Sequence, residues 1–188
     1  MQPHMINIMR LLFSLAILFL NFSALFAQTT FHGGYASTSI GMIYWDTDGG
    51  GFANTFEGAY LHNNTTFSAS FLRSSDGFWG PEDKIRRTQL AIGKFHDASF
   101  IRLEGKVGPT LTYRRFLVGY DDDHNRIENS EMLPGIALDG SVGILIYSRA
   151  SLGLNFHINY NKRRASYTPL LFLKIGVLSN RDQQELKK

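Results

Sequence analysis

An alternation of period two recurs along almost all of the chain beyond residue 31, and it limits the possible folds more than any other feature. It is cleanest in SLGLNFHINYNK, residues 151–162. Leu152, Leu154, Phe156, Ile158 and Tyr160 share one parity; Gly153, Asn155, His157 and Asn159 share the other. Successive side chains of a strand point to opposite faces, so this spacing predicts a strand with one apolar and one polar face. No segment after Gln28 sustains a helical period. Alternating segments fall near 33–45, 52–62, 65–74, 85–95, 99–115, 133–147, 150–160 and 165–178. They predict an all-β chain of about eight antiparallel strands in one domain.

The connections differ in length in a regular way. His62-Asn63-Asn64, His96-Asp97-Ala98 and Ser148-Arg149-Ala150 read as tight turns. Between them lie longer polar stretches at 46–50, 74–84 and 118–132, and the short basic NKRRA at 161–165. In an up-and-down meander every second connection lies at the same end. The tight turns and both chain ends are therefore expected at one end and the loops at the other, the arrangement of membrane barrels with short periplasmic turns.

Alternation alone leaves open which face looks inward. At 99–114, Arg102, Glu104, Lys106, Thr110, Thr112 and Arg114 oppose Ile101, Leu103, Val107, Leu111 and Tyr113. Glu57 opposes Phe56, Arg87 opposes Leu90, Asp139 opposes Leu138, and Lys174 opposes Leu173. A soluble lipocalin-like carrier places its apolar parity inward. Here the polar parity is rich in Gly, Ser, Thr and Asn with isolated charges of both signs, whereas soluble strand surfaces carry denser Lys and Glu. Aromatics gather near segment ends (Tyr44, Trp45, Phe52, Tyr60, Phe71, Phe95, Tyr113, Tyr147, Tyr160 and Tyr167), as in the girdles of a membrane barrel. The expectation is an up-and-down transmembrane β-barrel with lipid on the apolar side. A mean hydropathy of -0.12 agrees, since a helical membrane bundle is far more apolar.

LLFSLAILFL at 11–20, preceded by Arg10 and followed by NFSALFA, has the form of a secretory signal, with cleavage expected after Ala27. Retention as an anchor is the alternative, but Ser14, Asn21 and Ser23 interrupt a run already at the short edge for spanning. The expected organisation is a signal peptide at 1–27, a barrel at 28–178 and a polar periplasmic tail at 179–188. The absence of cysteine excludes a disulfide scaffold. Lys+Arg 19 against Asp+Glu 16 is too balanced to suggest nucleic acid as a partner.

The signal ending in FAQ and the glycine-rich HGGYASTSIGMIYW and LEGKVGPTLTY make the chain resemble the small outer-membrane β-barrel families of Gram-negative bacteria, of the porin-like and OmpX-like kind. SEMLPGIALDGSVGILIYSRASLGLNF is also similar to the TraO-type barrels of conjugative elements. The resemblance implies an outer-membrane location. It further implies contacts with outer-membrane lipid, lipopolysaccharide and the barrel-assembly machinery, and external loops open to an extracellular or envelope protein. One departure is that the last apolar strand is followed by the polar NRDQQELKK rather than ending on an aromatic residue.

Candidate chemistry is sparse. Asp46, Asp48, Gly51 and Glu57 match positions of a calcium loop, but Gly50 replaces an oxygen ligand and the flanks read as strands, so a hairpin is expected. Asp121 and Asp123, with Asp122, Glu128 and Glu131, form an acidic loop expected to be solvated. Phe78 and Trp79 are loop aromatics suited to a contact. Glu57, Arg87, Arg102, Glu104, Lys106, Asp139, His157 and Lys174 form the expected lumen set, read as charge pairs filling a barrel too narrow for a channel. Neither His124 near Asp122 and Ser130 nor His157 near Asn159 makes a nucleophile–base signature. The expected role is non-enzymatic, structural or surface-interacting, without metal or cofactor. A conjugation component, a lipid-modifying barrel enzyme and a secreted carrier are the alternatives.

Overall fold

The computed structural model describes residues 32–45, 49–79, 84–120, 126–146 and 148–178; at Trp45, Gly49, 75–79 and Arg126 only the backbone is described. Eight strands follow one another: β1 (His32–Trp45), β2 (Gly49–His62), β3 (Thr65–Trp79), β4 (Lys84–Ala98), β5 (Ile101–Tyr120), β6 (Arg126–Ile146), β7 (Ala150–Asn161) and β8 (Ala165–Val177). Each pairs antiparallel with the next, and β8 pairs with β1, so the sheet closes into an up-and-down barrel without a free edge.

The register sets the tilt. Followed from partner to partner, Gly34, Tyr60, Phe67, Ile92, Val107, Leu138, Ile158 and Tyr167 lead back to β1 at Tyr44, ten residues beyond Gly34. That is a stagger of roughly 33 Å against a circumference of roughly 38 Å, hence a strand tilt of roughly 40°.

The barrel is apolar outside and polar inside. Phe56, Leu90, Ile136, Phe156 and Ile175 are each more than half exposed, while Arg102, Glu104, Lys106, Thr112, His157, Asn159 and Lys174 are buried. This is the inverse of a soluble carrier. On β8 the outward parity runs from Tyr167 to Val177, roughly 33 Å of strand, or roughly 25 Å along the axis at this tilt. A bilayer-spanning barrel needs an apolar band of about that height. The turns at Asn63-Asn64, Ser99-Phe100 and Ser148-Arg149 lie at the end that carries His32 and Val177.

The structure differs from the sequence expectation in four respects. β3 continues to Trp79, β5 to Tyr120, and β6 begins at Arg126, so much of the stretches read as loops at 74–84 and 118–132 is paired strand. Beyond the apolar band both faces of a strand meet water, so alternation fades while the hydrogen-bond ladder continues. Gly49 and Gly50 likewise belong to β2. The tight turn expected at 96–98 is displaced to Ser99-Phe100, because Asp97 stays in register with Arg102 and Ser99 takes the positive φ of 57°. Phe95 is not a girdle residue: it shares the parity of Arg87 and Gln89 and points inward. The expected signal at 1–27, the tail at 179–188, and Asp46, Asp48, Asp121, Asp123 and His124 lie outside the described residues, as do the side chains of Phe78 and Trp79.

Candidate functional site: the charged barrel interior

The inward parity of six strands brings the expected lumen residues together. β2 supplies Glu57, β4 Arg87, β5 Arg102, Glu104 and Lys106, β6 Asp139, β7 His157 and β8 Lys174. In sequence they are spread over more than a hundred positions. In register Lys106 stands opposite Asp139, and Asp139 opposite His157.

Two ion pairs span the middle of the lumen, Lys106 with Glu57 and Lys174 with Glu104. Tyr35 Oη lies 3.2 Å from Glu57 Oε1 and 3.0 Å from Glu104 Oε1, so its single proton is shared between the two carboxylates. Beside them Asp139 accepts from Gln89 Nε2 at 2.7 Å and pairs with His157 Nδ1. Arg87 donates to Thr112 Oγ1 at 3.1 Å, to Ser166 Oγ at 2.9 Å and to His157 Nε2 at 2.9 Å. Because a guanidinium only donates, His157 Nε2 must be the acceptor and the ring proton must sit on Nδ1, facing Asp139.

Towards the end with the tight turns, Arg102 forms a bidentate pair with Asp97 at 2.7 and 2.8 Å, donates to the Leu178 carbonyl and covers the Phe95 ring at 4.2 Å. Three cations (Arg102, Lys106, Lys174) thus pair directly with three carboxylates (Asp97, Glu57, Glu104), and Arg87 is linked to Asp139 through His157. This matters because a buried charge left unpaired costs several kcal/mol, of the order of 3–5.

Sequence reasoning missed two apolar clusters inside the barrel. Tyr35, Leu61, Phe95, Leu145 and Leu178 close the end that carries His32 and Val177; Ile43, Ala53, Leu72, Ile85 and Leu170 pack higher up. The parity of Tyr35 with Ser37 and Ser39 was a usable signal, masked by the small residues around it. At the opposite rim Glu131 pairs with Arg114 at 3.4 Å and with Arg163 at 3.0 Å. Asn161 Oδ1 accepts the backbone N–H groups of Arg163 and Arg164 at 3.0 and 3.1 Å, which shapes the turn into β8. Between the layers lies an interior cavity of about 10 Å³, lined by Thr55, Glu57, Arg87, Lys106, Asp139 and His157 among others. That is close to the smallest space that takes one water molecule.

As for chemistry, His157 Nε2 faces Arg87 and not a hydroxyl, so the Asp139–His157 dyad has no nucleophile to activate. Among the described residues no three His, Asp or Glu side chains converge as metal ligands.

No family model matches the chain, and no curated protein matches it in sequence. Solved structures do match in fold. The neisserial surface protein A barrel superposes with a TM-score of 0.62 at 12% identity, over 79% of this chain and 99% of that one. The attachment invasion locus protein of Yersinia pestis gives 0.53 at 12% identity, over 77% and 97%. The N-terminal β-barrel domain of Pseudomonas aeruginosa OprF gives 0.54 at 9% identity, over 76% and 98%. At these identities the likeness is one of fold: the chain is a closed eight-stranded barrel of the small outer-membrane type.

Proposed function

We propose that this barrel resides in the outer membrane as a non-enzymatic structural or surface-interaction protein whose interior does not conduct. The observation that carries the reading is the pairing of an apolar outer wall with an interior of matched ion pairs around a cavity of only about 10 Å³. An apolar belt roughly 25 Å tall has no use in water and the right height for a bilayer. An interior filled by side chains that satisfy one another acts as a core rather than a pore. What specificity the protein has then belongs to the end away from the tight turns. That end carries Arg114, Glu131 and Arg163, and the strand ends at Trp79, Lys84, Tyr120 and Arg126. The occupied Nε2 of His157 supports the non-enzymatic reading.

Two measurements test this. The purified full chain in a planar bilayer is expected to give no stepwise conductance; a steady open level would overturn the filled interior. An epitope inserted between Asp122 and Asp123 is expected to be labelled on intact cells. The same epitope between Ser148 and Arg149 should need permeabilised cells, and the reverse pattern would invert the orientation.

A further inference from the structure

The outward face of β3, β4 and β5 breaks a rule of sheet design just above the apolar belt. Arg73 on β3 stands directly opposite Arg86 on β4, and Lys84 on β4 directly opposite Arg115 on β5. Like charges facing each other across a ladder destabilise it. All four side chains are exposed. Arg115 is ion-paired with Glu128, but among the described residues Arg73, Arg86 and Lys84 have no carboxylate partner. The wall continues downward from this cluster. Two residues nearer the middle stand Phe71 and Thr88, in register with each other, and then Ala69 and Leu90. Here the wall is scooped into a shallow groove of about 640 Å³, floored by Gly58 and Ala69 and flanked by Tyr60, Phe67, Leu90 and Ile92. A Cβ on Gly58 would meet nothing within 4 Å, so the groove is open to whatever surrounds the barrel.

We propose that this wall holds one phosphorylated, acylated lipid of the outer leaflet, the lipid A portion of lipopolysaccharide, with a phosphate between Arg73, Arg86 and Lys84 and an acyl chain in the groove below. The proposal rests on the outer-membrane reading above, which places this end outside. A phosphate bridging two guanidiniums on neighbouring strands turns the like-charge pair into a charge-assisted clamp. Leu90, at the upper edge of the groove, lies four positions below Arg86, roughly 13 Å along the strand and roughly 10 Å along the barrel axis at this tilt, a step from the headgroup level into the acyl region. A soluble anion would use the cations and leave the groove idle. A neutral lipid would use the groove and leave the repulsion in place. Only an anionic lipid uses both.

The test is lipid retention by the full chain, read by native mass spectrometry after reconstitution, with phosphorylated lipid A, dephosphorylated lipid A and inorganic phosphate as probes. Phosphorylated lipid A is expected to be retained over its dephosphorylated form by about tenfold or more. The preference should disappear in Arg73→Gln/Arg86→Gln. Ala69→Trp, which fills the groove, should reduce retention of both lipids. Equal retention of the two lipids by the natural chain would overturn the proposal, as would an undiminished preference in the double variant. Displacement by inorganic phosphate at millimolar levels would reduce the cluster to a free-anion site and also overturn it. Heat-modifiable migration of each variant reports folding. If the double variant fails that control, Lys84→Gln and the dephosphorylated probe carry the test. Loss of heat-modifiable migration in the natural chain would instead count against the membrane barrel itself.

Discussion

Glu104 on β5 ties β8 and β1 together across the interior through Lys174 and Tyr35. It pairs with Lys174, lies 3.0 Å from Tyr35 Oη, and is buried with both. Glu104→Gln removes the counter-charge and leaves the Lys174 ammonium with neutral partners: the new amide oxygen, Ser141 Oγ at 3.5 Å and the Tyr35 and Phe172 rings at 4.7 Å. The expected loss is about 3–5 kcal/mol, read as a lower urea midpoint for heat-modifiable migration. Removing both charges in Glu104→Met/Lys174→Met is expected to recover most of that loss, because an apolar pair needs no desolvated counter-charge. On the opposite face Phe156 is more than half exposed near the middle of β7. Phe156→Arg should cost about 2–4 kcal/mol in a bilayer, while Asn155→Ser on the inner parity should shift the same midpoint little. Gly153 is constrained differently. A Cβ there would lie 2.1 Å from the Val142 carbonyl oxygen and 2.9 Å from the Phe172 ring, so Gly153→Ala is expected to destabilise by about 1–3 kcal/mol.

Among the elements, the tight turns carry the local strain. Ser99 has a φ of 57°, a conformation that costs a side-chain-bearing residue about 1–2 kcal/mol and glycine almost nothing. Ser99→Gly is therefore expected to raise the urea midpoint, by a stability gain of about 1 kcal/mol. Asn63, with a φ of 52°, already tolerates the region better, and Asn63→Gly should change little. The paired extensions of β5 and β6 make a separate prediction. Tyr120 remains in register with Arg126, so protease added to intact cells should cut within 121–125 and spare 126–132. Cleavage spread evenly over 118–132 would show that the extension does not hold. The sequence made the membrane-embedded parts of these strands legible because lipid and lumen impose opposite polarities there. Their outer ends were read as loops because water on both faces removes that contrast.

At the scale of the whole molecule, the ten-residue stagger and eight strands fix a tilt of roughly 40° and a narrow interior. A barrel so closed has no edge to fray, and its unfolding should be one cooperative step between a compact, faster-migrating form and a heat-denatured one. The two apolar clusters and the ion pairs between them lie across the lumen rather than along a strand. A substitution on one wall should therefore be felt on the opposite wall. A double-mutant cycle on Lys106 and Glu57, 49 positions apart, should show coupling well above that of an exposed pair.

Alternation, connection length and the scatter of charges in the sequence determined an eight-stranded meander, its inward and outward parities, and the membership of Glu57, Arg87, Arg102, Glu104, Lys106, Asp139, His157 and Lys174 in one interior. Parity is a local property, so a linear reading can recover it. Closure of β8 on β1 and the stagger decided the rest, because they choose which inward residues share a height. Only then does Lys106 find Glu57, Lys174 find Glu104 and Arg87 find His157. The same register sets Arg73 against Arg86 on the outer wall, a juxtaposition that no spacing within one strand could reveal.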